Sequence, residues 1–467
     1  MTTGLAQRFE AADFARWVGG AAQALPAAFC GVTQDSRKIQ PGALYVALRG
    51  DRFDGHAFVA QALQAGAAAA LVEASWQAPA AAAGWPLIRV PDTRRALGDA
   101  ARAWRLRSPA LIVGLTGSSG KTTTKEMAAA LFSAGGRVCA TQGNLNNEIG
   151  LPLSVLSLPA DAAFGIFELG TNHPGEIARL ADVLRPQAAL IASIGTAHIE
   201  HFGSVEAIAR EKGALLQALP RDGFAVLCRE TLCFEVLREM TDARLVTTSL
   251  AGRDADFFGE LVEPLSGTLR VSERASGVQT VLRCGLPGEH NASNLLLAFA
   301  AARTAGVAAP EAAQALLKLA LPGMRWDVSR RSGGVTVVND AYNANPQSMM
   351  AVLRTFMKLP CTGRRIAVLG DMRELGGHAE ALHRDVGRCV AGLAPDRLVA
   401  VGPDTAAYVA DEAVKAGYPA SRVTCFADAA EASAGVQKLV VPGDCVLLKA
   451  SRGMGLERVL DGWGLQV

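Results

Sequence analysis

The stretch that most constrains this chain is Leu111 to Met127, LIVGLTGSSGKTTTKEM. An apolar, β-branched run reaches Gly114, crosses Thr116-Gly117-Ser118-Ser119-Gly120 and meets Lys121-Thr122 where helix-favouring residues begin. Strand, glycine loop and helix in that order predict a sheet with helices on its faces. Glycines let backbone N–H groups turn inward around phosphate oxygens, Lys121 brings a cation to the outer phosphates, and the Thr122 hydroxyl suits Mg²⁺. Gly117, Ser118, Ser119, Gly120, Lys121, Thr122 and Thr123 are therefore the candidate nucleoside-triphosphate residues. The longer G-x-x-x-x-G-K-[ST] pattern would want glycine where Leu115 stands, so the motif is the shorter G-x-x-G-K-T.

A chain of 467 residues has room for about three domains. Its 46 basic and 44 acidic residues leave a net charge of +2, which argues against a broad nucleic-acid or membrane surface and favours small-molecule partners. Nine cysteines include no C-x-x-C pair, so free thiols in a reducing compartment are expected. No signal peptide or membrane span is indicated, and a cytoplasmic monomer is expected.

The fold class expected is α/β in three domains. Residues 1–108 form a small N-terminal α/β domain, closed by a helix from Thr93 to about Arg107 before Ser108-Pro109. Residues 109–323 form a central phosphate-loop domain. Its strand-length runs Val138 to Thr141, Phe164 to Leu169, Ala188 to Ile194 and Phe224 to Leu227 predict a mostly parallel sheet. Residues 324–467 alternate strand and helix as a Rossmann-like domain, without G-x-G-x-x-G after the first strand, so no dinucleotide is predicted there.

Several strand ends carry polar chemistry. Glu168 ends the run Phe164 to Phe167, where a Mg²⁺ ligand is needed in a phosphate-loop sheet. The turn 143–150 holds Asn144, Asn146, Asn147 and Glu148; orienting a substrate and simple solvation explain it equally well. His198 and Glu200 could reach a second metal or the phosphates, or be ordinary loop residues. For Lys212, on a predicted helix, a solvated lysine is the plain reading. Capping does not explain both Asn291 and Asn294, three residues apart on one helical face after His290. In the last domain, Asp340-Ala341-Tyr342-Asn343-Ala344-Asn345-Pro346 and Gly370 to Gly376 end two strands and point to a ligand crevice. Lys449 and Arg452 could bind a peptide carboxylate or merely face solvent, with binding the favoured reading. Near the N-terminus, Ser36, Arg37 and His56 sit in turns that could hold a polar ligand or be turns alone.

Taken together, these segments resemble the Mur ligases over nearly the whole chain, from Asp35-Ser36-Arg37 to Lys449. The features shared with the whole family are the short T-G-x-x-G-K-T loop, Glu168, the His198 loop, Lys212 and His290-Asn291 with Asn294. GNLNNEIG at 143–150, DAYNANP at 340–346 and VLGDMRELG at 368–376 are narrower, and through them the resemblance implies D-alanyl-D-alanine and UDP-N-acetylmuramoyl-tripeptide as substrates. The resemblance implies ATP as the nucleotide and an acyl-phosphate route. It implies two Mg²⁺ ions, one held by Thr122 and Glu168, the other by His198 and a carbamylated Lys212. Lys121, Glu168, His198 and Lys212 become the catalytic set. Asn294 would contact adenine, Asp340 the ribose and Arg325 the γ-phosphate. The substrate residues would be Ser36, Arg37 and His56 at the UDP end, with Asn144, Asn146, Asn147, Tyr342, Asn343 and Asn345 elsewhere. Two other classes stay open on the residues alone: an ATP-driven switch and a catalytically silent nucleotide-sugar binder.

Overall fold

The computed structural model describes residues 7–50 and 53–465. The strand Leu111–Thr116 lies inside a nine-stranded sheet, and the strands beside it fix what surrounds the phosphate loop. On one side come Phe164–Glu168 and then Val138–Ala140. On the other come Ala188–Ile191, Phe224–Cys228, Arg244–Ser249, Phe257–Glu263, Thr268–Glu273 and Gln279–Arg283. Pairing is parallel as far as Phe257–Glu263 and antiparallel beyond it.

The antiparallel extension is absent from the sequence expectation, which stops at Phe224 to Leu227. In Thr268–Glu273, Leu269 and Val271 are buried while Arg270 between them is exposed. That alternation marks a sheet with one wet face, a weaker signal than the continuous apolar runs of the parallel strands. The run predicted to extend from Ala188 to Ile194 leaves the sheet after Ile191. Ser193 turns instead to the phosphate loop, accepting from Ser118 N through its carbonyl (2.8 Å) and from Ser119 N through its hydroxyl (2.9 Å).

The N-terminal unit is a five-stranded sheet of Ala21–Gln23, Leu87–Val90, Ala69–Glu73, Leu44–Val46 and Val32–Thr33, parallel except for its first pair. The helix Thr93–Arg105 joins it to the central unit. Asp92 caps this helix by accepting from Arg94 N and Arg95 N, a cap worth about 1 kcal/mol. Its buried face, Ala96, Leu97, Ala100 and Ala101, shares one apolar core with Leu151, Val155, Ile177 and Leu180 of the central unit.

In the C-terminal unit six strands run in the order Asp327–Arg331, Val335–Asn339, Cys445–Lys449, Arg365–Gly370, Arg397–Val401 and Val423–Phe426. Only the first pair is antiparallel. The helix Pro346–Met357 starts with proline at its first position and a reciprocal capping box between Asn345 and Ser348. Trp326, Ala344 and Met349 belong to the same apolar cluster as Ala192 and Ile199 of the central unit. The two units are therefore packed together, with the phosphate loop at their seam.

Candidate active site

The helix Lys121–Phe132 has no side-chain cap; Gly120 precedes it with φ +78°. Its first N–H groups stay open toward the cavity, where an anion satisfies them and meets the positive end of the helix dipole. Glycine is required twice here. A Cβ on Gly117 would come within 3.0 Å of Ser193 N, and one on Gly120 within 2.6 Å of Asn294 Oδ1. Asn294 thus lies directly against the loop. Lys121 folds back, donating from Nζ to Gly117 O at 2.8 Å. Burial lowers its pKa, Arg325 lowers it further, and Glu168 opposes both.

Thr122 Oγ1 donates to Glu168 Oε2 at 2.8 Å, and Asn146 Nδ2 donates to Glu168 Oε1 at 2.8 Å. The strand end thereby presents a carboxylate and a hydroxyl side by side, an all-oxygen pair suited to Mg²⁺, which keeps most of its waters. The last domain completes the site. Arg325 Nη2 donates to Thr122 Oγ1 at 3.0 Å, and its guanidinium stacks 4.2 Å from the Tyr342 ring centroid. Met324 and Trp326 on either side of it have φ of +61° and +51°, a conformation costing roughly 1–2 kcal/mol per residue. Trp326 N donates to Asp340 Oδ1 at 2.8 Å, which holds that bend.

Asn345 does two things at once. Its Oδ1 accepts from Ser348 N (2.9 Å) as helix cap, while its Nδ2 donates to Ser119 Oγ (2.8 Å) on the phosphate loop. Gln347 Oε1 accepts from Thr196 N at 3.2 Å across the same seam. The sequence reading treats 368–376 as a crevice and assigns Glu374 no task, yet Glu374 Oε2 lies 2.6 Å from His198 Nδ1. The His198 ring beside it lowers the Glu374 pKa. A carboxylate on Nδ1 orients the ring and leaves Nε2 for a metal. Only a contact between residues far apart in sequence reveals this, so no local signal could have found it.

A cavity of about 940 Å³ runs along the seam. Ser118 to Thr123, Asn144, Asn146, Asn147, Glu168, His198, Asn294, Arg325, Asp340, Tyr342, Asn343 and Asn345 all line it. Within it, Asn147 also accepts from Gly150 N at 2.8 Å and so starts the helix Gly150–Leu156. Ser36, Arg37 and His56 do not reach this cavity.

Several expectations change on contact with the structure. Lys449 is not free to take a carboxylate: it is buried, and its Nζ pairs with Asp340 Oδ2 at 2.5 Å. Arg452 pairs with Glu457. Both His56 nitrogens are spent internally, Nδ1 on Asp54 Oδ1 (2.6 Å) and Nε2 accepting from Glu73 N (2.9 Å). The Arg37 fork closes on Asp35, at 2.9 and 3.0 Å. Asn291 turns away to donate to Pro287 O at 2.9 Å, so of the asparagine pair only Asn294 faces the loop. Lys212 is buried rather than solvated. Burial, helped by the charge of Lys121, puts its pKa well below the ordinary lysine value. Among the described residues no three His, Cys, Asp or Glu side chains form a metal-holding group.

A nucleotide loop in one domain, completed by an arginine from the next, is the arrangement of a multidomain phosphoryl-transfer enzyme. Three family models match along the chain: "Mur ligase family, catalytic domain" over 29–105, "Mur ligase middle domain" over 115–302, and "Mur ligase, glutamate ligase domain" over 324–452. The chain belongs to the Mur ligase family. It is 35% identical over 430 residues to the UDP-N-acetylmuramoyl-tripeptide--D-alanyl-D-alanine ligase of Bacillus subtilis, covering 92% of each chain. With the enzyme of the same name from Escherichia coli it shares 39% identity over 375 residues, 79% of this chain and 81% of the other. Among solved structures, MurF from Acinetobacter baumannii aligns with TM-score 0.87 at 30% identity over 98% of both chains. The MurF ligase of Thermotoga maritima in complex with ADP aligns with TM-score 0.77 at 27% identity, over 92% of this chain and 96% of that one.

Proposed function

We propose that this chain is an ATP-dependent ligase that joins D-alanyl-D-alanine to UDP-N-acetylmuramoyl-tripeptide in the synthesis of peptidoglycan precursors. The observation that carries the reading is the Arg325–Thr122–Glu168 chain of contacts, which sets a cation from the last domain against the Thr122 end of the phosphate loop. In the reaction, the tripeptide carboxylate attacks the γ-phosphorus of ATP in line, the bond to the bridging oxygen breaks, and acyl phosphate and ADP form. The dipeptide amine then adds to the acyl carbon, and the tetrahedral intermediate expels phosphate. No enzyme nucleophile takes part.

The open N–H groups at Lys121 and the Lys121 ammonium would hold the β- and γ-phosphates, while Arg325 meets charge developing on the transferring group. Asn146 and Thr122 fix the orientation of Glu168. Thr122 and Glu168 would hold Mg²⁺, and by the family resemblance His198 and a carbamylated Lys212 would hold a second ion. Bound there, Mg²⁺ supplies charge neutralisation on the phosphoryl oxygens. Burial favours the neutral Lys212 amine, the form that adds CO₂ and releases a proton to give an anionic oxygen ligand. Asn294 and Asp340 would take the adenosine. The three domains, with boundaries proposed at 108 and 323, divide the work: UDP end first, nucleotide second, dipeptide third. Arg37 would have to leave Asp35 to meet the UDP phosphates, and His56 would act through the loop it braces. No helix among the described residues is long and apolar enough to cross a membrane. A cytoplasmic monomer acting on small molecules fits this scheme.

The test is phosphate release with UDP-MurNAc-tripeptide and D-Ala-D-Ala, alone and together. Release that needs both supports the ligase; release with neither means an ATPase switch, and none at all means a binder. Carbamylation is tested by ¹³C-bicarbonate labelling of the protein, where a carbamate signal lost in Lys212→Ala is expected.

A further inference from the structure

The strand order separates two arms of the cavity. Glu168 stands on the strand to one side of the loop strand, so the γ-phosphate and its metal lie on that side. The nucleoside must then leave the loop on the other side, past Gly120 and Asn294. There the strand Phe224–Cys228 ends, and Cys228, Glu230, Thr231, Leu232 and Ser293 line the same cavity.

This second arm is built to hold a carboxylate in place. Cys228 Sγ donates to Glu230 Oε2 at 2.9 Å, Ser249 Oγ donates to Glu230 Oε1, and Ser293 Oγ donates to Cys228 Sγ at 3.6 Å. Cys228 is pushed up to about 11 by burial, so its thiol stays protonated and donates. Burial alone would raise the Glu230 pKa, but the Cys228 and Ser249 hydrogen bonds outweigh it and the carboxyl stays ionised. Each carboxylate oxygen has a second lone pair to spare, and Glu230 remains exposed to the cavity. Beside it Leu232, a large apolar side chain, is 51% exposed, and the flat face of a base would cover it.

We propose that Glu230 reads the purine, accepting a hydrogen bond from the exocyclic amino group at C6 and repelling bases that carry an oxygen there. The inference rests on the ligase reading only for the position of the triphosphate. A carboxylate that only accepts favours adenine and disfavours hypoxanthine and guanine at their O6. Hydrogen bonds to charged groups of this kind correspond to roughly 10- to 100-fold in affinity.

The experiment measures dissociation constants of ADP, IDP and purine-riboside diphosphate by calorimetry, on the wild type and on Glu230→Gln. Ligation rates with ATP and ITP are measured in parallel. Wild-type binding of IDP at least tenfold weaker than ADP is expected, with the analogue that lacks any C6 substituent in between. Glu230→Gln, whose amide can donate to O6, is expected to narrow the ADP-to-IDP ratio by about tenfold. If the wild type binds ADP and IDP equally, or if the variant loses both by the same factor, as a merely structural residue would, the proposal fails. Failure of ligation with every nucleotide overturns the ligase reading instead, and the binding ratios still decide the role of Glu230.

Discussion

Replacing Arg325 with alanine separates catalysis from binding. The change removes the hydrogen bond to Thr122 Oγ1 (3.0 Å) and the stack on Tyr342 (4.2 Å), both at the seam between the last two domains. The first contributes about 1 kcal/mol and the second roughly 0.5–2 kcal/mol to domain docking. The larger loss is expected in the transition state. A preorganised cation on a transferring phosphoryl group is worth about 3–4 kcal/mol, or two to three decades of rate. Nucleotide affinity should fall less, because the loop N–H groups, Lys121 and Asn294 remain. The assay is kcat for ligation at saturating substrates, with the ADP dissociation constant measured separately. Arg325→Lys should fall between wild type and alanine, since a point charge cannot fork or stack as guanidinium does. A kcat within about threefold of wild type, or a loss confined to nucleotide affinity, would refute the assignment.

Glu168→Gln should keep most of the fold, yet lower kcat by two to three decades, about 3–4 kcal/mol, and shift the Mg²⁺ requirement to higher concentration; both are read from rate against metal. Gly120→Ala forces a side chain to φ +78° with its Cβ at 2.6 Å from Asn294 Oδ1. It should cost about 1–2 kcal/mol of stability by thermal melting and weaken ADP by tenfold or more. His290 has its pKa lowered to about 4 by burial, with Lys449 adding to this and Asp340 opposing it, against an ordinary value of 6.5. Between these values the unfolded chain binds more protons than the folded one. His290 therefore contributes stability above pH 6.5 that is lost as pH falls toward 4, about 2 kcal/mol after allowing for partial solvent contact. Melting temperatures at pH 5 and 7.5 should differ less in His290→Gln than in wild type.

The phosphate loop, the strand-end Glu168 and the parallel core were legible because each is written in adjacent residues: an apolar run, then glycine or acid at a fixed offset. What was not legible joins distant residues. Glu374 meets His198, Asn345 meets Ser119, and Lys449 cancels Asp340, each across more than 100 positions. His56 and Arg37 are ambiguous for the opposite reason. Their side chains suit a ligand, but a neighbouring carboxylate two residues away had already claimed each of them. Lys212 was hidden because a lysine on a helix reads as solvated, and burial appears only once the helix Val205–Gln217 is packed.

The side chain of Asn345 faces two ways, oxygen to the start of a helix and nitrogen to the phosphate loop. A carboxylate at this position would serve the helix equally well but would turn an acceptor, and a negative charge, toward the place where phosphates sit. Serine would cap the helix and fall short of the loop. Among the good capping residues, then, the amide alone lets one side chain start its own domain's helix and grip its neighbour's ligand loop, so opening the seam removes a donor from the loop while leaving the helix intact.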